Sequence, residues 1–469
     1  MKKRALALDA LRGIAIIGMI LSGQMNLTHL PAWMAHAQVP PNASFDPSIF
    51  GITWVDLVFP FFLFAMGAAF PFSLGTKIDK GENKYRLCWD SFVRAIQLVF
   101  FAIFLQHMKP FVISSSVDSA SCFISLFAFG LMFLMFANDI IPFFSKFKYG
   151  TWGVKLAAFF MGFILMYNLE YTGKKTTDFD LYFSDIIIIV LANMAFFASV
   201  IYIFTYKKPN YRLLVLPFVM AVFLAAANPG WVKLVYDFTP APWAYSFYYL
   251  KYLFIVIPGS LAGEYLYQWI NSDSNELSET SNRQAYLMAF TALALIVSNV
   301  IFLFTRQLEL NLFLTIILLG SGYFILKSNS SSFGVFWKNL FTVGAYCLLL
   351  GLIFEAYEGG IRKDQSTYSY YFVTSGLAFF ALLFFSVICD YFKNIKSTKF
   401  LVLAGQNPMI AYVATALVVM PILTLLRLTN YFDVFKTGAF MGFLQGVLLT
   451  TLAIIITMYF SKIKWFWRT

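Results

Sequence analysis

Apolar runs long enough to cross a membrane recur from one end of this chain to the other, and they constrain its fold more than any other feature. A hydrocarbon core about 30 Å thick needs about 20 largely apolar residues in helical form. Inside it no water satisfies a backbone N–H or C=O, so each run must wind into a helix that pairs its own polar groups. Charged residues are 12% of the 469, against roughly 25% in soluble domains. The deficit runs the whole length and leaves no segment for a soluble domain. The expected fold is all-α: a polytopic transmembrane helix bundle forming one domain over residues 1–469. Spans are read near 10–24, 53–75, 88–107, 119–137, 152–168, 184–205, 211–227, 246–270, 284–304, 309–326, 336–355, 370–391, 399–426 and 439–461. Short neighbours such as 284–304 and 309–326 need not both cross, which gives a range of about 10–14 spans.

Lys and Arg set the expected orientation, because cytoplasmic loops are rich in them. With the N-terminus inside, 22 of the 34 fall on the cytoplasmic side, 9 on the other, and Arg94, Lys155 and Lys251 within spans. Both termini are thus expected in the cytoplasm, and the chain in the cell inner membrane with the lipid bilayer as its first partner. The net charge of +11 does not point to nucleic acid, since the basic residues come in short clusters between apolar runs. Cys88, Cys122, Cys347 and Cys389 have no CxxC spacing, so neither a disulfide framework nor a metal site is expected. The first run carries Asp9 and Arg12 and lacks a small-residue cleavage site, so it is expected to stay as a helix. Aromatic residues crowd loop edges, as in WAYSFYYLKY (243–252) and WFW (465–467), in the manner of an interfacial belt. A homodimer is compatible with this composition.

Chemistry is sought where polar residues interrupt the apolar pattern. No Lys or Arg occurs between Arg12 and Lys77, yet His29 and His36, two of the three histidines, lie in that gap. The loop 25–52 is long, nearly neutral and rich in Pro, so it is expected to fold back over the bundle on the outer side. His36 there is the best candidate base, since an imidazole titrates near neutrality; His29 and then His107 follow it. Asp56 stands at the mouth of the second span, either as a helix N-terminal charge or as part of a site. Pro60, one turn on, frees a carbonyl. Asp9 and Arg12 share a helix face as an ion pair or as the wall of a pocket for an anion. Arg94, mid-span with Asp90 one turn earlier, must face the bundle interior or a cavity. Gly405, Gln406, Asn407 and Pro408 break a late apolar run, and VIPGSLAGE (256–264), ending in Glu264, is a smaller break; each is a pocket or a kink.

Three segments taken together resemble a known family. LDALRGIAIIGMIL (8–21), GITWVDLVFPFFLFAMG (51–67) and LAGQNPMIAYV (403–413) are similar to the transmembrane acetyltransferases related to lysosomal heparan-α-glucosaminide N-acetyltransferase, and to its bacterial homologues of uncharacterised-domain type. The resemblance implies transfer of an acetyl group from cytoplasmic acetyl-CoA to an amino sugar or glycan on the other side. It implies that His36, ahead of GITWVDLVFP, is catalytic, either deprotonating the amine or carrying the acetyl group as an acyl-imidazole, and Asp56 is placed to orient it or to stabilise an imidazolium. The loop here is longer than the family's and carries Pro and Ser where the family has a Trp-Asn-Gly run. Arg12 and Asn407 are kept. A polyanionic acetyl-CoA needs basic residues at the inside mouth, for which Arg12, Lys84, Arg86, Lys462 and Lys464 are the candidates, joined by Asn407. The rival readings are a glycan or lipid transporter or flippase, and a membrane O-acyltransferase of another superfamily.

Overall fold

The computed structural model describes residues 5–137, 150–174, 176–272, 280–327 and 329–467. Of the basic residues counted above, Lys2, Lys3, Arg4, Lys146, Lys148, Lys175 and Arg468 lie outside the described residues, as does most of the polar stretch 271–282. Among the described residues there is no β-strand. The longer helices are α1 (Leu6–Gln24), α2 (Trp54–Ala68, running on to Asp79), α3 (Lys84–His107), α4 (Ser119–Phe136), α5 (Gly150–Asn168), α6 (Ile186–Phe204), α7 (Pro209–Ala225) and α8 (Leu253–Asn271). They continue as α9 (Asn282–Phe304), α10 (Leu308–Lys327), α11 (Ser332–Glu358), α12 (Tyr368–Phe385, running on to Tyr391), α13 (Ile395–Gln406), α14 (Pro408–Ala414, running on to Leu425) and α15 (Ala439–Lys462).

Among the described residues eleven helices are long and apolar enough to cross a membrane, so this is an all-α, multi-pass membrane protein. Both described ends of the chain lie at one face. Gly405 of α13 packs on the carbonyl of Asp9, and Ser461 near the end of α15 donates to the Leu403 carbonyl at 2.9 Å. Eleven passes alone would leave the ends on opposite faces. The shorter apolar helices α5 and α7, and α8, stand where the sequence placed further spans.

Close backbone crossings hold the bundle. A Cβ on Gly259 or Gly263 of α8 would lie 2.3 Å from the carbonyl oxygen of Phe64 or Ala68 on α2. Small residues four apart let two helices approach this way in lipid. The break at 256–264 is therefore a packing seam, with Glu264 taken by the buried Arg212 at 2.7 Å. Two prolines then expose backbone that a third helix covers. Pro60 cannot donate to Asp56 O, nor Pro258 to Phe254 O. Tyr370 and Ser375 of α12 donate to those carbonyls at 2.8 and 2.9 Å. α12 is the most enclosed span, and its hydroxyls complete both kinked helices.

Candidate functional site

The loop 25–52 folds back onto the bundle and is fastened to a second loop, 359–367, between α11 and α12. Gln38 pairs its side-chain amide with the Asp364 backbone both ways, accepting from Asp364 N at 2.7 Å and donating to Asp364 O at 3.1 Å. Gly51 N donates to Ile361 O at 2.7 Å. Arg362 donates to Pro47 O at 3.2 Å, and its guanidinium lies over the Phe50 ring. α11 ends at Gly359 with φ 73°, a left-handed turn that glycine adopts without strain. Glu358 accepts from the backbone N–H groups of Tyr368 and Ser369, both at 2.8 Å, and so caps α12. Further round the loop, Tyr248 and Lys251 hold Ser366, the lysine donating to its carbonyl at 2.9 Å.

At the seam between the loops stands His36. Its Nδ1 is 2.6 Å from Oδ1 of Asp56. Asp56 is 2% exposed and His36 37%. Oδ2 of Asp56 accepts from Thr53 N at 3.0 Å and Ala37 N at 3.2 Å. The first is half of a capping box with Thr53, so Asp56 caps α2 while its other oxygen meets His36. A carboxylate engaged on both oxygens is an orienter rather than a base. The 2.6 Å contact assigns the ring proton to Nδ1, which leaves the Nε2 lone pair to accept a proton.

Lys363 completes the cluster, with Nζ 3.2 Å from Nδ1 and 3.5 Å from Nε2 of His36 and 3.9 Å from Oδ1 of Asp56. Its signal in the sequence is only a lysine in a loop between two apolar runs. The other histidines stand apart. His107 is buried, with Nδ1 on Ile103 O at 2.8 Å and Nε2 accepting from Asp180 N at 3.4 Å. His29 is exposed on the loop.

Arg12 is at the opposite end of α1, paired with Asp9 at 3.7 Å and donating to Gly405 O at 3.3 Å. Arg94 of α3 is within electrostatic reach of it and is exposed although mid-helix. Gly18 packs on Val58 and Trp54, which levels that part of α1 with the start of α2. Six residues of α1, about 9 Å of helix rise, thus separate Arg12 from the His36–Asp56 level. A narrow apolar cleft of about 20 Å³ lies beside this part of α1, lined by Ile16, Met19, Phe59, Phe62, Met409 and Tyr412 among others.

The remaining cofactor candidates fare differently. Lys84, Arg86, Lys462 and Lys464 are exposed where α3 begins and α15 ends. Asn407 is corrected: its amide is taken by the chain's own C-terminal segment. Nδ2 donates to Trp465 O at 2.8 Å, and Oδ1 accepts from Trp467 N at 3.3 Å. The chain turns back at Lys464, φ 64°, and seats Trp467 among Phe101, Phe129, Phe133 and Phe136. This end of the WFW run is core rather than interfacial belt.

Residues 4–266 match a family described as a domain of unknown function, DUF5009. The chain belongs to this family. No curated protein matches the chain. The DUF5009 segment holds Arg12, His36, Asp56 and Arg94, while Lys363 and the loop that carries it lie beyond the matched residues.

Proposed function

We propose that this protein is an inner-membrane acetyltransferase that moves an acetyl group from cytoplasmic acetyl-CoA to an amino sugar or glycan on the periplasmic side. The observation that carries the reading is the His36–Asp56 pair at 2.6 Å, which stands at a different level of the bundle from the Arg12–Asp9 pair. The likeness of segments 8–21 and 51–67 to the transmembrane acetyltransferases supports it. An amine acceptor is mostly protonated at neutral pH and must lose a proton to attack a thioester. One ammonium proton leaves to solvent before attack; His36, with Nδ1 held by Asp56, accepts the second at Nε2 as the C–N bond forms and returns it to the departing thiolate. The nucleotide of acetyl-CoA is polyanionic and stays at the face of the termini, with Arg12 and Arg94 as its inner charges and Lys84, Arg86, Lys462 and Lys464 at the rim. Only the acyl arm enters the cleft. Met19 and Met409, unbranched and adaptable, are the side chains that give way to it.

The test is transfer of label from radioactive acetyl-CoA to a glucosamine-type acceptor by purified protein in proteoliposomes. Labelled N-acetyl product that depends on His36 supports the reading. Absence of both CoA binding and acetylated product excludes it and leaves the transporter class.

A further inference from the structure

We propose that Lys363 is a catalytic residue of this site, its ammonium holding the acyl carbonyl oxygen as negative charge develops there; the proposal rests on the acetyl-transfer reading. The position of this side chain is imposed by its surroundings. Its neighbours in the loop are tied down one by one: Ile361 O receives Gly51 N, Arg362 reaches Pro47 O, the Asp364 backbone is gripped by Gln38, and Ser366 is held by Tyr248 and Lys251. A loop fastened at so many points presents its lysine in one place without reorganisation during reaction, which is what electrostatic stabilisation of a transition state requires.

The hydrogen-bond inventory around Nζ points the same way. Among the described residues its polar contacts are His36 and Asp56. Nδ1 of His36 carries the proton given to Asp56, so it has no lone pair for Lys363. Nε2 is at 3.5 Å, and Asp56 Oδ1, at 3.9 Å, is beyond hydrogen-bond distance. An ammonium has three protons to donate. Here it is 20% exposed and stands beside the atom that takes the acceptor's proton, with no strong acceptor of its own. A carbonyl oxygen reacting next to Nε2 supplies one.

The acceptor amine's lone pair attacks the thioester carbon and forms the C–N bond. The C=O π pair moves onto oxygen, where Lys363 holds it, and the amine proton passes to Nε2 of His36. The pair then returns from oxygen, the C–S bond breaks, and the thiolate takes the proton back from His36, which yields the amide and free CoA.

Lys363→Met keeps the stem and removes the charge, and Lys363→Arg restores a charged donor. Loss of a single oxyanion donor costs about 10²–10³ in kcat. The Met variant should show that fall with its KM for acetyl-CoA and its melting temperature unchanged, and the Arg variant should recover part of the loss. Wild-type kcat in Lys363→Met overturns the proposal, as does a fall in kcat matched by loss of acetyl-CoA binding and of folded protein. If the wild-type protein acetylates nothing, the acetyl-transfer reading fails and this proposal with it. Turnover that is normal in both wild type and Lys363→Met removes Lys363 alone.

Discussion

His36 Nδ1 and Asp56 Oδ1 meet at 2.6 Å and tie the long loop to the first turn of a membrane-spanning helix. On the proposed function, His36→Ala should lower acetyl transfer by roughly 10²–10⁴-fold while acetyl-CoA still binds, since the basic residues proposed for the nucleotide are not part of the His36–Asp56 pair. Asp56→Asn should also impair turnover, because an amide no longer fixes the proton on Nδ1. Steady-state rates alongside CoA binding check both. A His36→Ala protein with wild-type turnover would move the base elsewhere on the loop.

Tyr370→Phe removes the hydroxyl that covers the Asp56 carbonyl freed by Pro60. An orphaned buried acceptor costs about 1–3 kcal/mol. The variant should melt lower in detergent, and Ser375→Ala should do the same through Phe254 O. An unchanged melting temperature in both would mean that neither kink depends on α12.

Met19→Trp and Met409→Trp each fill the apolar cleft beside α1. Acetyl transfer should stop in a protein that stays folded and still binds free CoA. Normal turnover with the cleft filled would require a different route for the acyl group.

Asn407→Ala strands Trp465 O and Trp467 N and releases the C-terminal turn. Destabilisation of about 1–3 kcal/mol is expected for the unmet backbone groups. Trp467→Ala should cost about 3–5 kcal/mol through its lost packing against four phenylalanines. Chemical denaturation in detergent measures both.

Ser44→Cys and Lys464→Cys, each placed at an exposed position in a background without the native cysteines, test orientation. A membrane-impermeant thiol reagent added outside should label the first in intact spheroplasts and the second only after lysis. The opposite pattern would invert the bundle and with it the assignment of acetyl donor and acceptor to the two sides.

The spans were legible because an apolar run of this length has one solution in lipid, and each of the fourteen read from the sequence meets a helix at that place. His36 and Asp56 were legible because each is a polar residue in an apolar neighbourhood with a geometric reason to meet. Lys363 was not, since it lies 327 residues from His36 along the chain and nothing local marks a lysine that reaches across. The break at Asn407 misled for a related reason. A polar residue in a bundle must be satisfied, but local sequence does not reveal whether a cavity or another stretch of backbone satisfies it. The glycines at 259 and 263 were ambiguous in the same way until α2 was found lying against them.

The seam between loops 25–52 and 359–367 joins two stretches that fall on either side of where the family likeness stops, at residue 266. Relatives sorted by that stretch alone carry no guarantee of the lysine. Gln38, whose amide in this chain spans the seam to Asp364, is then a marker that can be looked for within the matched half. A relative that has lost the distant loop has no backbone there for a glutamine to grip. The presence or absence of Gln38 at that position should therefore sort the lineage into chains that keep both lips of the site and chains that keep one.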